Sequence, residues 1–311
     1  GQGVTGWTYS GQGDFSHYTN PYTNSNFYFL QYASQNAASK EMSTVQTPSS
    51  GVTVDKTVGK IFFDEERTNV THSGLEWYSA PMNPNDSRII ANKLNGYLAG
   101  TPVRYKYEML SRSDVTAAFN IEESGVQIAS LFVAGIDPGT LAGDPVYNYA
   151  NRNQGQVDRI PSLTDSRSAV KIVYNANSTV ATGYINWLEI LYTQQLVGIS
   201  EALIFTSPDT TAAVQYALSG FSGNKFSVFD ITDVLNVKIV PSQADQIAGT
   251  YSFRDNLSSG SVKRYWAGTS SAYKTPASFV RIPNTNLRGV TTGPNFIIIT
   301  PRDFLAEAQR L

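Results

Sequence analysis

The chain has 311 residues and a formal net charge of -2, from 23 Lys and Arg against 25 Asp and Glu. This near-neutral balance argues against a nucleic-acid-binding protein, which usually carries a strong basic excess. Cysteine is absent, which excludes disulfides, thiolate metal sites and cysteine nucleophiles within these residues, and two histidines, His17 and His72, cannot form a multi-histidine metal site.

Composition narrows the class of protein further. Charged residues make up 15% and aromatic residues 12% of the chain, a mixture often found in extracellular β-rich proteins. No apolar run approaches the roughly 20 residues that span a bilayer, so we expect no membrane-spanning segment. Residues 1–4 (GQGV) do not resemble a signal peptide. We expect either that one was removed or that the sequence starts internally.

The first sixty residues are rich in turn-forming and aromatic side chains, and their short apolar runs predict strands. Residues 33–58 carry many Ser, Thr, Gln and Ala residues, which predicts an exposed loop or hairpin. Residues 60–63 (KIFF) predict the next strand.

Alternating patterns become clear after residue 87. Along residues 103–109, Val, Tyr, Tyr and Met alternate with Arg, Lys and Glu, which predicts a half-buried antiparallel strand. Residues 169–175 (AVKIVYN) alternate in the same way. The most apolar strand is 185–192 (INWLEILY), whose mixed faces predict a central position. Further short strands are predicted at 126–135, 202–205, 225–230, 237–240, 250–253 and 264–267.

Many short strands separated by regular turns indicate a sandwich or a jelly roll. The predicted fold class is therefore mainly β, with a jelly-roll-like antiparallel β-sandwich at about residues 86–240. A β-rich region at 1–85 precedes it, and an additional β region at 241–290 follows it.

Residues 291–311 predict a truncated βα unit. The apolar run 295–299 (NFIII) suits a buried strand, and Thr300 then stands as the N-cap of a helix with Pro301 at its first position and Asp303 three residues after the cap. A helix of about ten residues is marginal alone, so we expect that a third, α/β domain was cut off here. The alternative is a C-terminal helix that docks on the sandwich.

Two acidic segments are candidates for a metal or catalytic site. Asp64, Glu65 and Glu66 could form a calcium or general-acid cluster, but neighbouring strand residues point to opposite faces, which favours solvated charges at a strand end. The spacing of Asp230 and Asp233 fits a turn or cap better than a cation site.

Other catalytic patterns are weaker still. His72 and Ser73 are not a dyad by adjacency, because neighbours on a strand diverge. Residues 11–13 (GQG) lack the helix and the Lys of a phosphate loop. We therefore predict no catalytic, cofactor-binding or metal-binding residue in this chain, and no cofactor.

The aromatic residues leave a carbohydrate-binding module open as an alternative function. Exposed Tyr and Trp rings stack on sugar faces, so this hypothesis predicts a row of exposed rings on one sheet face. Most aromatic side chains of a β-sandwich are instead core residues or cross-strand partners. A self-contained hydrolase is a third class, and it requires carboxylates that converge in a cleft.

Six segments lie in order across nearly the whole chain: HYTNPY with NFYFL (17–30), FDEE with SGLEWY (63–78), YINWLEI (184–190), VFDITD (228–233), PNTNLRG (283–289) and the predicted strand and helix of 295–311. Together they resemble the region that precedes the peptidase domain in the PorU-like sortases of the type IX secretion system, a gingipain-related cysteine peptidase family of Bacteroidetes. The departures are Leu75 and Ser79, where the family has Arg and Gly, and Thr285 and Arg288.

The resemblance implies a secreted protein, associated with the outer membrane and the cell surface, whose full-length form is a cysteine peptidase-like transpeptidase. That enzyme would remove a C-terminal sorting domain from cargo and join the new carboxyl end to an anionic surface lipopolysaccharide. The resemblance places the catalytic Cys and His beyond Leu311. Acyl transfer of this kind needs a thiolate, and these residues contain none.

On this interpretation the chain is a non-catalytic N-terminal β scaffold and not itself an enzyme. Residues 241–290 would pack the sandwich toward the missing peptidase domain of the same chain. The scaffold would position that domain and offer a docking face for an outer-membrane shuttle barrel or for secreted cargo. This interpretation predicts an exposed apolar patch near residues 284–296. It leaves open whether the full protein is an active sortase or a diverged peptidase.

Overall fold

The computed structural model describes residues 5–20, 28, 41–70, 76–136, 149–223, 225–281, 289, 293 and 296–310. Within them the chain is mainly β with one short helix, which confirms the predicted fold class. Two compact units form, residues 1–273 and residues 274–311. The strands are β1 (Thr5–Gly11), β2 (Asp14–Thr19), β3 (Val52–Val54), β4 (Lys56–Asp64), β5 (Ser87–Lys93), β6 (Val103–Arg112), β7 (Ala117–Glu123), β8 (Val126–Val133), β9 (Asn151–Arg159), β10 (Arg167–Asn175), β11 (Thr182–Gln195), β12 (Ala202–Thr206), β13 (Ala212–Leu218), β14 (Ser227–Asp230), β15 (Lys238–Val240), β16 (Ser242–Ala244), β17 (Tyr251–Leu257) and β18 (Arg264–Gly268).

Strands β4 to β11 form the first sandwich. Its two antiparallel sheets have the strand orders β4-β11-β6-β9, here sheet I, and β5-β10-β7-β8, here sheet II. These are the strand orders of an eight-stranded jelly roll, in which two Greek keys link the sheets. The first sandwich is therefore a jelly roll of residues 56–195.

Alternating side chains build the core between sheets I and II. In β6, Val103, Tyr105, Tyr107 and Met109 are at most 3% exposed, as the alternation predicts. Strand β10 alternates in the same way, and β11 is buried on both faces along much of its length. Burying each large apolar side chain contributes about 1.5–3 kcal/mol, so this core accounts for much of the stability of the jelly roll.

Strand β3 and strands β12 to β18 form the second, smaller sandwich. Its sheets have the orders β12-β18-β14-β15, here sheet III, and β16-β17-β13-β3, here sheet IV. Strand β3 runs parallel to β13, whereas the other pairs are antiparallel. The core centres on four aromatic rings whose centroids lie 4.6–6.2 Å apart: Phe205, Tyr216, Phe253 and Tyr265.

The jelly roll interrupts the second sandwich in sequence. Asp55 alone connects β3 to β4, and residues 196–201 connect β11 to β12. The backbone N–H of Leu196 donates to the carbonyl oxygen of Asp55 at 3.1 Å. The two connections between the sandwiches therefore lie side by side.

The domain boundaries predicted at residues 85/86 and 240/241 differ from this arrangement. Strand β4 precedes residue 85 but belongs to the jelly roll, and β12 to β15 precede residue 240 but belong to the second sandwich. Local alternation indicates where strands lie. It does not indicate which sheet each strand joins, because that depends on pairing between distant segments.

Gly51 allows β3 to approach β13. A Cβ atom at this position would lie 2.5 Å from the carbonyl carbon of Val214, in the parallel partner strand. We expect Gly51→Ala to lower the free energy of unfolding by about 1–3 kcal/mol, because the strand must move away from its partner. Urea denaturation would measure this loss. Val52→Ala removes an exposed side chain of the same strand and should change the value by less than about 0.5 kcal/mol; equal losses for the two variants would contradict the explanation.

Strands β1 and β2 form a hairpin that lies on the outer face of sheet I, where it contacts β11. Its turn contains Gln12 (φ 51°) and Gly13 (φ 74°), the left-handed pair of a type I′ turn. Residues 11–13 are therefore a hairpin turn, which agrees with the rejection of a phosphate loop.

Residues 274–311 form the second unit, considered by itself. The predicted helix is present but short: a 3-10 turn (Arg302–Phe304) continues into helix α1 (Leu305–Ala308). Pro301, and not Thr300, occupies the N-cap position. Residues 296–299 are irregular and not the predicted strand, since the described part of residues 274–311 contains no other strand with which their backbone groups could pair.

Candidate functional site

A group of four charged or titratable side chains, most of them with little exposure, lies between the hairpin and sheet I. We call it the charged seam: Asp14 and His17 of β2, Lys106 of β6 and Glu189 of β11. The carboxylate of Glu189 accepts hydrogen bonds from the backbone N–H of His17 at 2.6 Å and from its Nδ1 at 2.7 Å. Lys106 Nζ lies 3.1 Å from the other carboxylate oxygen of Glu189 and donates to the carbonyl of Phe15 at 2.9 Å. The seam therefore attaches the hairpin to the jelly roll.

Glu189 is almost completely buried, with a side chain 2% exposed. Burial alone would raise its pKa, but the hydrogen bonds from His17 and the ammonium of Lys106 together lower the pKa below its ordinary value. The carboxylate is therefore charged at neutral pH. A carboxylate partner also requires that Nδ1 of His17 carries the proton.

Aromatic rings enclose the imidazole of His17. Phe62 stacks on it with ring centroids 4.9 Å apart, and Trp7 and Trp187 approach edge-on at 6.3 and 5.5 Å. Neither of the two described cavities is lined by His17 or Glu189. The geometry of the seam suits attachment of the hairpin to sheet I.

A second polar contact joins the hairpin, the jelly roll and the second sandwich. Lys60 Nζ of β4 lies 4.1 Å from the ring centroid of Phe15 and donates to the hydroxyl of Thr206, in β12, at 3.3 Å. None of the described ion pairs includes Lys60. Burial, with a smaller contribution from the charge of Arg264, lowers the pKa of Lys60 to about 8.

The lowered pKa of Lys60 predicts a distinct pH dependence of stability. Between about pH 8 and pH 10.5, the unfolded chain binds a proton at this lysine that the folded chain does not, so the free energy of unfolding rises with pH in this window. In the unmodified protein, Lys60 should contribute a rise of roughly 2 kcal/mol in the free energy of unfolding between pH 7 and pH 9.5, and we expect Lys60→Met to lack this rise. Urea denaturation at the two pH values would measure it. Lys171→Met, at a partly exposed lysine paired with Glu122, is the control, and a rise that survives in Lys60→Met would refute the assignment.

The three carboxylates of the first acidic segment, residues 64–66, lie in different surroundings. Glu65 pairs with Arg67 and with Arg88, whereas Asp64 has one buried oxygen without a hydrogen-bond partner. Burial raises the pKa of Asp64, and burial together with the charge of Asp64 raises the pKa of Glu66. Asp64 is thus less solvated than the sequence predicts. No group of three potential metal ligands occurs among the described residues.

The second acidic segment is a pair of turns, as its spacing predicts. Asp230 accepts hydrogen bonds from the backbone N–H and the hydroxyl of Thr232, at 3.0 and 2.6 Å. Asp233 accepts from the backbone N–H of Leu235 at 2.9 Å. His72 and Ser73 lie outside the described residues, as does most of the apolar patch predicted near 284–296.

Sheet III carries aromatic side chains on its outer face. Four residues are direct neighbours across its strands and form what we call the apolar row: Ile204, Trp266, Phe229 and Ile239. The ring centroid of Trp266 lies 5.7 Å from that of Phe229 and 5.5 Å from that of Tyr273, which is half exposed. The row is not predictable from the sequence pattern, because it combines residues of four separate strands.

No protein-family model and no curated protein matches the sequence. Among solved structures, the fold is similar to that of dimeric latent PorU from Porphyromonas gingivalis, with a TM-score of 0.80 and 14% identity over 99% of this chain and 29% of that chain. The chain therefore has a PorU-like fold and spans less than a third of the length of PorU. At this identity the likeness concerns the fold alone.

Two other likenesses are too weak to support an argument. The insecticidal delta-endotoxin Cry8Ea1 from Bacillus thuringiensis matches with a TM-score of 0.32 and 14% identity, over 43% of this chain and 24% of the toxin. The CBM36-1 domain of a multidomain xylanase from the hindgut metagenome of Trinervitermes trinervoides matches with a TM-score of 0.28 and 12% identity, over 44% of this chain and 96% of that domain. Among the described residues, none of the helices is long and apolar enough to cross a membrane.

Proposed function

We propose that this chain is the non-catalytic N-terminal β scaffold of a PorU-like secreted cysteine peptidase or sortase at the cell surface. The observation that carries the proposal is the extent of the likeness to PorU, which covers 99% of this chain at a TM-score of 0.80. The order of the six sequence segments supports the same family independently. The absence of cysteine from the sequence fits a part of such an enzyme that lies outside its reaction centre.

The C-terminal unit supports a role in positioning a further domain. Phe296, Ile297 and Ile299 are each more than two-thirds exposed, within residues 274–311. Consecutive exposed apolar side chains of this kind are typical of a surface that another domain or protein covers. In the proposed function, that partner is the peptidase domain of the same chain, and the β scaffold offers further faces to an outer-membrane shuttle barrel or to cargo.

The test compares the full-length protein that the proposal requires with a version that lacks residues 1–273. Both receive a secreted cargo with its C-terminal sorting domain and, separately, a short chromogenic peptide. We expect the shortened protein to cleave the peptide but to lose most processing of the cargo, because the cargo must be positioned by the scaffold. Full-length protein with Glu122→Gln, a change on the exposed face of sheet II, is the control.

Either of two results would overturn this function. The first is cleavage of the cargo by the isolated chain of 311 residues. The second is processing of the cargo by the shortened protein as fast as by the full-length protein. The first result would restore the hydrolase hypothesis, and the second would remove any role for the scaffold in processing.

Carbohydrate binding is the second candidate function, and the apolar row favours it. Trp266, Phe229 and Tyr273 form the kind of ring surface on which sugar faces stack, and the hydroxyl of Tyr273 donates to Ser227 at 3.2 Å beside it. Calorimetric titration with soluble glucan, mannan and xylan hexasaccharides tests this candidate. We expect Trp266→Ala to abolish any binding and Trp77→Ala, at an exposed tryptophan elsewhere, to preserve it. The absence of binding, or binding that survives Trp266→Ala, would dismiss the candidate.

A further inference from the structure

The hairpin of β1 and β2 contacts both sandwiches. One end is attached to the jelly roll, where His17 bonds to Glu189 and stacks on Phe62. At its turn end, the hydroxyl of Tyr9 donates to Asp209 at 2.7 Å, in the loop that follows β12. The hairpin therefore spans the junction between the jelly roll and the second sandwich.

Phe15 strengthens the contact at the turn end. Its side chain is 3% exposed and packs against Tyr9, with ring centroids 5.1 Å apart, and against the ammonium of Lys60. Lys60 in turn donates to the hydroxyl of Thr206 in the second sandwich. The hairpin thus reaches the second sandwich directly through Tyr9 and indirectly through Phe15 and Lys60.

The covalent junction between the sandwiches has the form of a hinge. Its two connections, Asp55 and residues 196–201, lie side by side and are joined by a backbone hydrogen bond. Two adjacent short connections restrict translation of the sandwiches but leave a rotation axis between them. A cavity of about 540 Å3 adjoins both connections and is lined by residues that include Leu196, Leu218 and Ile247. Space for movement is therefore present beside the axis.

We propose that the hairpin is a splint that holds the two sandwiches in one orientation by preventing rotation about this hinge. The contact of Tyr9 with Asp209, and that of Phe15 through Lys60 with Thr206, cross to the second sandwich at residues outside the paired connections, as a brace against rotation must. The charged seam supplies the fixed end of the brace on the jelly roll. This inference concerns the geometry of residues 1–273 and does not depend on the proposed function.

The test measures the distance between two spin labels, one on each sandwich. Ser87 of β5 and Ser242 of β16 are exposed and lie on sheets II and IV, one in each sandwich. Cysteines introduced there would be the only thiols of the 311 residues. Double electron–electron resonance would be recorded on the full chain, on a chain without residues 1–19, and on Tyr9→Ala. We expect a single narrow distance distribution for the full chain and one about twice as wide or wider for both variants.

Matched controls separate this effect from general loosening. Glu122→Gln alters the exposed face of sheet II and should keep the narrow distribution. Removal of residues 1–19 could prevent folding, which circular dichroism would show. In that case the Tyr9→Ala variant, which changes a partly exposed side chain, tests by itself whether the hairpin restricts rotation. The proposal would be overturned if the Tyr9→Ala variant and the folded chain without residues 1–19 both gave a distance distribution as narrow as that of the full chain.

Discussion

Replacing Glu189 with alanine should lower the free energy of unfolding by about 3–5 kcal/mol. The change removes a buried carboxylate and leaves His17 of the hairpin and Lys106 of sheet I without their shared partner. Both groups then lose a charge-assisted contact, although Lys106 keeps its contacts with Asp14 and with the carbonyl of Phe15. Urea denaturation followed by tryptophan fluorescence would measure the loss.

Glu122→Ala is the control for Glu189. Its carboxylate pairs with Lys171 at 3.3 Å on a partly exposed sheet face, so the loss should stay below about 1 kcal/mol. The pKa of Glu189 is lowered in the folded state, so its contribution is fully present above the unfolded pKa and disappears as the pH falls through the folded value. The difference between wild type and Glu189→Ala should therefore shrink in acid. A difference that stays constant from neutral pH into strong acid would contradict the role of the carboxylate.

Asp255→Ala should have the corresponding effect in the second sandwich, a loss of about 3 kcal/mol. Asp255 of β17 is 1% exposed and accepts hydrogen bonds from the hydroxyl of Tyr265 and from Lys263 Nζ, both at 2.7 Å. Without it, the hydroxyl of Tyr265 loses its described partner in the aromatic core. Lys263 is 30% exposed and can regain water, which limits the loss.

Asn256 provides the matched control for Asp255. It follows directly on the same strand and faces solvent, so Asn256→Ala should change the free energy of unfolding by less than about 0.5 kcal/mol. Tyr265→Phe should lower the free energy of unfolding by less than Asp255→Ala does, because it removes the donating hydroxyl while Asp255 keeps Lys263 as a partner. Thermal unfolding of the three variants side by side would test this order, and a reversed order would show that packing and not the carboxylate dominates.

Local alternation was sufficient to predict the β class and the buried faces of single strands. The faces of β6 and β10 follow directly from side chains that point to opposite sides at successive positions. The central position of β11 also follows, because a strand that is apolar on both faces needs cover on both. Each of these inferences uses only residues that are close together in the chain.

Sheet membership was not predictable in the same way. Val52–Val54 pairs with residues near Val214, and the hairpin docks through His17 on Glu189, which lies 172 positions away. A short motif contains no information about such partners. The domain boundaries predicted from the sequence therefore do not include the interruption of the second sandwich by the jelly roll.

One feature of the sequence does indicate the charged seam. Glu189 is the single charged residue in the most apolar strand, 185–192, and a charge there requires a buried partner. The sequence could not name that partner, because neither His17 nor Lys106 is near it in the chain. The irregular conformation of residues 296–299 shows the same limit, since an apolar run becomes a strand only where a neighbour supplies the hydrogen bonds.

The parallel pairing of β3 with β13 has a consequence for the order in which the chain folds. Val52–Val54 emerges early in synthesis, but its partner follows only after the whole jelly roll has been made. Such distant pairing is slow, since the ends of a long segment must meet before the contact forms. A chain that ends near residue 200 would contain every strand of the jelly roll, whereas β3 would have no partner strand. The second sandwich would therefore be the last part of residues 1–273 to assemble.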